Sequence, residues 1–168
     1  VSTGGFTDCL LQAGADKIVG IDVGRGQTAP SILKHPSVEI HEGLNARELS
    51  TQGKFAPFDL IVLDVSFISL TKVVPEVVKF LKGQANLLAL VKPQFELEQE
   101  NGTIDFEKVK IKIYELFKDL QLDVQGYFEC PVKGSTGNQE FFIYKSKFFM
   151  LLSLLDVFSF LFCFSIVT

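Results

Sequence analysis

The sequence predicts an α/β domain built on a mostly parallel sheet with helices on both faces. Two observations carry this. Short apolar runs, each closed by Gly, Pro or Asp, recur along residues 1–147, as buried parallel strands do. Stretches of helical period separate them, and such alternation requires crossover helices packed on the sheet. A third observation adds to it: the region ends in two strand-like segments around a turn.

The elements follow in order. "GFTDCLLQAGA" reads as a helix that stops at Gly14, a residue suited to a helix C-terminus. "DKIVGIDVG" is a buried strand, "APSILKHP" a short helix and "SVEIHEG" a weaker, alternating strand. "FDLIVLDVSF" and "ANLLALVKP" are further buried strands, with "LTKVVPEVVKFLKG" expected as the helix between them. "DFEKVKIKIYELFKDLQL" is the longest helix: Phe106, Val109, Ile113, Phe117 and Leu120 share one face, with lysines between them. "DVQGYFECPVKG" and "NQEFFIYKS" supply the closing strands.

At 168 residues, 47% hydrophobic and 21% charged, the chain is large enough for one real core and is not of disordered composition. Its net charge of −4 excludes a chain that is basic throughout, though not a local basic patch. Cys9, Cys130 and Cys163 are too far apart for a paired-cysteine metal site, and their odd number suits a reducing compartment. With only His35 and His41 besides, no metal site is expected. Composition changes sharply after Lys147. Residues 148–168 carry one charge, Asp156, and eight of the 17 phenylalanines fall in residues 141–168. A neutral or artefactual extension, a buried element and a membrane span of roughly 20 residues all remain open for this tail. Asp156 weighs against the last, and no membrane partner is expected.

The chemistry-bearing residues gather where strands end. Ser2-Thr3-Gly4-Gly5 forms a glycine turn that opens a helix, and Asp22 closes the next strand 17 positions after Gly5. An acidic residue so placed accepts bonds from a ribose in nucleotide-binding sheets, although the glycine spacing required for a pyrophosphate is absent. That absence also counts against a nicotinamide dehydrogenase. Asp64 closes "LIVLD", Lys92 closes "LLALVK" and Glu140 opens "EFFIY". The carboxyl ends of parallel strands form a ligand crevice, so Asp64 and Lys92 are expected to face one opening. Asn45 in "GLNAREL" either reaches the same edge or caps a helix.

"STGGFTDCLLQAGA", "GIDVGRGQ", "LNAREL", "FDLIVLDVSFISL", "ALVKPQFE" and "KGSTGNQEFF" together resemble the TlyA (hemolysin A) family of FtsJ-like ribosomal RNA methyltransferases. The resemblance runs from Val1 to about Lys147. It implies a Rossmann-like methyltransferase fold, a three-layer α/β/α sandwich with an antiparallel last strand and with the first strand missing here. It implies S-adenosylmethionine as cofactor, held by Ser2, Thr3, Gly4, Gly5, Asp22, Val23, Asn45 and Asp64. It also implies methylation of a ribose 2′-hydroxyl in ribosomal RNA or a ribosomal subunit, in the cytoplasm and without a metal. Of the family's Lys-Asp-Lys-Glu tetrad, it places Asp64, Lys92 and Glu140 here; the first Lys would precede Val1. By this reading residues 1–147 are an N-terminally incomplete methyltransferase domain and 148–168 a hydrophobic tail. The alternatives are a non-catalytic remnant of such an enzyme and a membrane-active, hemolysin-like protein.

Overall fold

The computed structural model of the protein describes residues 1–52, 55–97, 103–134 and 137–146. The apolar tail lies outside the described residues, as do Ser135 and Thr136 of the turn before Glu140. The chain forms two compact units, one comprising Val1–Leu49 and the other beginning at Ser50.

The first unit is a two-stranded parallel sheet with short helices. Helix α1 (Gly5–Gln12) starts at Gly4, whose φ of 106° only glycine adopts without strain. A Cβ there would also lie 2.8 Å from Ile32 Cγ1. The helix stops as expected: Gly14 takes φ 86° just beyond it, and the Ala15 amide bonds back to Leu10 O. Strand β1 (Ile18–Asp22) pairs with β2 (Val38–Glu42) in continuous register from Ile18 with Val38 to Asp22 with Glu42. Helix α2 between them is a single turn, Pro30–Leu33. Its Pro30 sits in the first turn, where no amide hydrogen is required.

The chain then passes through a 3₁₀ turn at Ala46–Glu48 and helix α3 (Leu49–Gln52). The second unit is a four-stranded mixed sheet. Strands β3 (Phe58–Leu63), β4 (Leu81–Val91), β5 (Val124–Glu129) and β6 (Phe141–Lys145) are ordered β3-β4-β6-β5. Strands β3 and β4 are parallel, while β6 lies between β4 and β5 and is antiparallel to both. The expected antiparallel last strand is therefore present. Helix α6 (Phe106–Asp119) is capped by the Asp105 carboxylate on the Lys108 amide and buries Val109, Ile113 and Phe117 completely. These side chains belong to a core shared with Val74, Leu87, Val91, Phe142 and Ile143.

One expected helix is broken. Residues 70–83 form a 3₁₀ turn (Leu70–Lys72), a one-turn α4 (Val74–Val77) and a second 3₁₀ turn (Val78–Phe80). From Leu81 the chain is already strand, and Leu81 pairs with Phe58. The cause is visible in "KVVPEVV". Four valines carry a χ1 cost in a helix, and Pro75 restricts the residue before it, so burial of Val73, Val74 and Val77 shapes the segment more than propensity does. Conversely, helix α5 (Pro93–Glu96), directly after β4, was not expected.

Candidate active site

In the first unit the polar atoms converge on Asp22. The Ser2 amide donates to its Oδ2 at 2.6 Å and the Gly24 amide to its Oδ1 at 2.8 Å. Burial works against the charged carboxylate, but these two amides and the Val1 amino group 3.7 Å away outweigh it and hold the group below the usual carboxylate range. Ser2 reaches Asp22 because the turn folds back sharply: Ser2 takes φ 43°, Gly4 donates to Val1 O and Thr3 O accepts from Ala29 N. Ser2, Thr3, Gly4, Gly5, Asp22 and Val23 are thus gathered at one strand end. Val23 leaves the strand with 69% of its surface exposed. Asn45 stands at the same edge, since the neighbouring Leu44 amide bonds to Asp22 O. Its side chain is engaged locally, with Oδ1 accepting from the Arg47 amide at 3.0 Å and from Arg47 Nε at 3.2 Å. Its side chain makes the helix cap at that edge.

In the second unit Lys92 Nζ lies 2.6 Å from Asp64 Oδ1, and both side chains are largely buried. Beyond that ion pair, Asp64 Oδ1 has no hydrogen-bond partner. Lys92 Nζ also donates to Ser66 Oγ at 2.9 Å. Strand register supplies the third member: Val91 pairs with Phe141, so Lys92 just past β4 and Glu140 just before β6 meet at one sheet end. Glu140 is buried, and burial together with the Asp64 charge lifts its carboxyl above the ordinary range. The Lys92 charge and a Gln94 hydrogen bond pull the other way without cancelling the rise. Gly134 makes room for it, because a Cβ there would lie 2.6 Å from Glu140 Oε1.

A second network lies behind this cluster. The Glu96 carboxylate is buried and accepts from Ser69 Oγ at 2.5 Å and from the Leu70 amide at 2.8 Å. Lys112 of α6 stands 3.3 Å from it and also donates to Glu96 O. Glu96 follows Lys92 by four residues and Ser69 follows Asp64 by five, so the segments joined by the Lys92–Asp64 ion pair are tied a second time. Sequence reasoning singled out neither Ser66 and Gln94, each two residues beyond a strand-end charge, nor the Glu96 network. Spacing could have flagged the first two; partners 27 residues apart leave no local signal for the third.

Among the described residues no three His, Cys, Asp or Glu side chains form a metal-binding group. Asp22 fits a nucleoside ligand: its Oδ1 has spent one lone pair on the Gly24 amide, leaving the other for a ribose hydroxyl. No helix among the described residues is long and apolar enough to cross a membrane.

Known proteins resemble this chain in sequence and in fold. The FtsJ-like methyltransferase family model matches residues 1–147. The chain is 36% identical over 151 residues to the 16S/23S rRNA (cytidine-2′-O)-methyltransferase TlyA of Mycobacterium tuberculosis, covering 85% of this chain and 56% of that protein. It is 36% identical to Hemolysin A of Brachyspira hyodysenteriae, covering 83% of this chain and 62% of that protein. The chain thus spans little more than half the length of these curated relatives. A crystal structure of a Lactococcus lactis protein that carries a hemolysin label matches with TM-score 0.79 at 35% identity, over 88% of this chain and 74% of that one. At the level of fold alone, an O-methyltransferase from Bacillus cereus in complex with SAH matches with TM-score 0.61 at 19% identity, over 87% of this chain and 71% of that one. These likenesses and the strand-end clusters lead to one family: the chain belongs to the FtsJ-like methyltransferases, and its fold is the α/β fold of Rossmann-like methyltransferases.

Proposed function

We propose that this chain is the catalytic domain of an S-adenosylmethionine-dependent methyltransferase acting on a ribose 2′-hydroxyl of ribosomal RNA. The single observation that carries the reading is the cluster of Asp64, Lys92 and Glu140, with its 2.6 Å ion pair and its upward-shifted buried carboxyl. The relatives named for rRNA cytidine-2′-O-methylation support the substrate class. A ribosomal RNA or subunit is then the partner and the cytoplasm the site of action.

The chemistry fits the residues. A ribose hydroxyl is a weak nucleophile until an acceptor engages its proton. Lys92 Nζ, while uncharged, is that acceptor, and Asp64 and Ser66 fix where it points. Glu140 is close enough to feel the charges of Lys92 and Asp64 and so shapes the field of the cluster. Ser2, Thr3, Gly4, Gly5, Asp22 and Val23 would hold the cofactor, with Asp22 on the ribose and Val23 against its base. Asn45 supports that strand end. S-adenosylmethionine, when bound, supplies an electrophilic methyl group. Holding the hydroxyl in line with it accounts for several kcal/mol of barrier, roughly 7–11 in favourable cases.

The test is methyl transfer. Purified protein is incubated with labelled S-adenosylmethionine and unmethylated ribosomal subunits, and the digested RNA is resolved by mass spectrometry. A 2′-O-methylated nucleoside that disappears with Lys92→Ala supports the proposal. Label entering bases alone, or transfer undiminished by Lys92→Ala, overturns it.

A further inference from the structure

We propose that Ser66 is a positioning residue for Lys92: its hydroxyl fixes the direction of the one Nζ position left for the substrate. The inference rests on the reading of Lys92 as the amine that meets the ribose hydroxyl.

The geometry is that of a tetrahedral nitrogen. Beyond its bond to Cε, Nζ has three positions, each a proton donor or, in the uncharged amine, the lone pair. Ser66 Oγ takes one at 2.9 Å through a hydrogen bond, and the Asp64 carboxylate, an ion partner 2.6 Å away whose Oδ1 makes no hydrogen bond, blocks a second. One position remains. With Asp64 alone, the amine head could turn about the Cε–Nζ bond and present either of two positions. The directed hydrogen bond to Ser66 stops that rotation and fixes the approach for an incoming hydroxyl. Ser66 brings no charge, so it does so without adding to the field of Asp64.

Two features separate Ser66 from a serine that serves only the fold. Ser69, three residues on, accepts from the Thr71 amide at 3.2 Å to cap a 3₁₀ turn and is clamped by Glu96, as local serine side chains commonly are. Ser66 does neither. It is exposed, and among the described residues its hydroxyl has Lys92 as its one hydrogen-bond partner. The next residue, Phe67, takes φ 62°, a left-handed conformation unfavourable for a bulky side chain. Its ring rests on Phe95, with centroids 5.0 Å apart. This conformation turns the chain directly after Ser66.

The test compares the parent protein with Ser66→Ala and Ser66→Thr. In Ser66→Ala, kcat should fall roughly tenfold through lost alignment. The KM for ribosomal RNA, the Kd for S-adenosylmethionine and the melting temperature should stay unchanged. Ser66→Thr, which keeps the hydroxyl, should recover most of kcat. A second readout is independent of catalysis: the rate at which acetic anhydride labels Lys92, followed by peptide mass spectrometry with the exposed Lys82 as internal control. Ser66→Ala should label several-fold faster at Lys92 and equally at Lys82. Parental kcat in Ser66→Ala, or no rescue by Ser66→Thr, overturns the proposal, as does an unchanged labelling rate. If the parent transfers no methyl group, the functional reading fails by itself and the labelling rates alone decide whether Ser66 tethers Lys92.

Discussion

The two units solve the problem of holding a charge in different ways. In the first, Asp22 is held by backbone: the amides of Ser2 and Gly24 supply its bonds, and the glycine turn exists to aim them. In the second, charge is held by other side chains: Lys92 by Asp64 and Ser66, and Glu96 by Ser69 and Lys112. The cores differ in the same sense. Val74, Leu87, Val91, Val109, Ile113 and Phe142 in the second unit are fully buried, whereas Cys9, Ile18 and Ile32 of the first keep 5–8% of their surface. A backbone-built site suits a shallow unit, because amides come fixed by the local fold. Side-chain ion pairs need a deep, rigid surround, since one partner removed leaves a buried charge unpaired.

The sharpest way to break the comparison is to separate the two tasks. Lys92→Ala is expected to lower methyl transfer by at least about a thousandfold, on the order of 4 kcal/mol in the barrier. S-adenosylmethionine affinity, read by calorimetry, should stay within a few-fold of the parent. A parallel loss of cofactor affinity would show that the units do not divide the work. Next in size, Glu96→Ala should destabilise the protein by about 3–5 kcal/mol in chemical denaturation, because Lys112 and the Leu70 amide lose a buried partner. Asp22→Ala should weaken cofactor affinity by roughly thirtyfold, about 2 kcal/mol, and leave the stability cost of Glu96→Ala unchanged when the two are combined.

The smallest effect tests the sign of a titration. The folded state raises the Glu140 carboxyl above its ordinary pKa of 4.5, so the native protein holds that proton more tightly than the unfolded chain. Stability from this group is therefore full below 4.5 and is lost as pH rises through the elevated native value. Glu140→Gln removes the charge and keeps the shape. It should raise the melting temperature by a few degrees at pH 7 and by nothing at pH 4. A gain that persists at pH 4 would mean that burial of the charge is not its source.

How much the sequence disclosed follows the same division. Asp22, the glycine turn and the stop at Gly14 were legible because each depends on neighbours within a few residues. The strand ends Asp64, Lys92 and Glu140 were legible as charges closing apolar runs, and strand order then brought them together. The helix expected over residues 70–83 failed because its apolar period belongs to a segment shaped by burial and by pairing of Leu81 with Phe58. Asn45 showed two possible roles, and only the three-dimensional placement of Arg47 reveals the cap. The Glu96 network left no pattern in the chain, because a hydrogen bond across 26 or 27 residues has no period.

Strand β6 is the last described element in the chain, yet it lies inside the sheet, between β4 and β5. On the ribosome, where synthesis runs from the N-terminus, β4 and β5 therefore emerge as unpaired edges and wait for a strand still to be made. Glu140 arrives with that strand, so Asp64 and Lys92 gain their third partner only when the sheet closes. A nascent chain interrupted before β6 has two open edges and no completed cluster. The order of synthesis thus acts as an assembly checkpoint, in which the last strand both seals the sheet and completes the site.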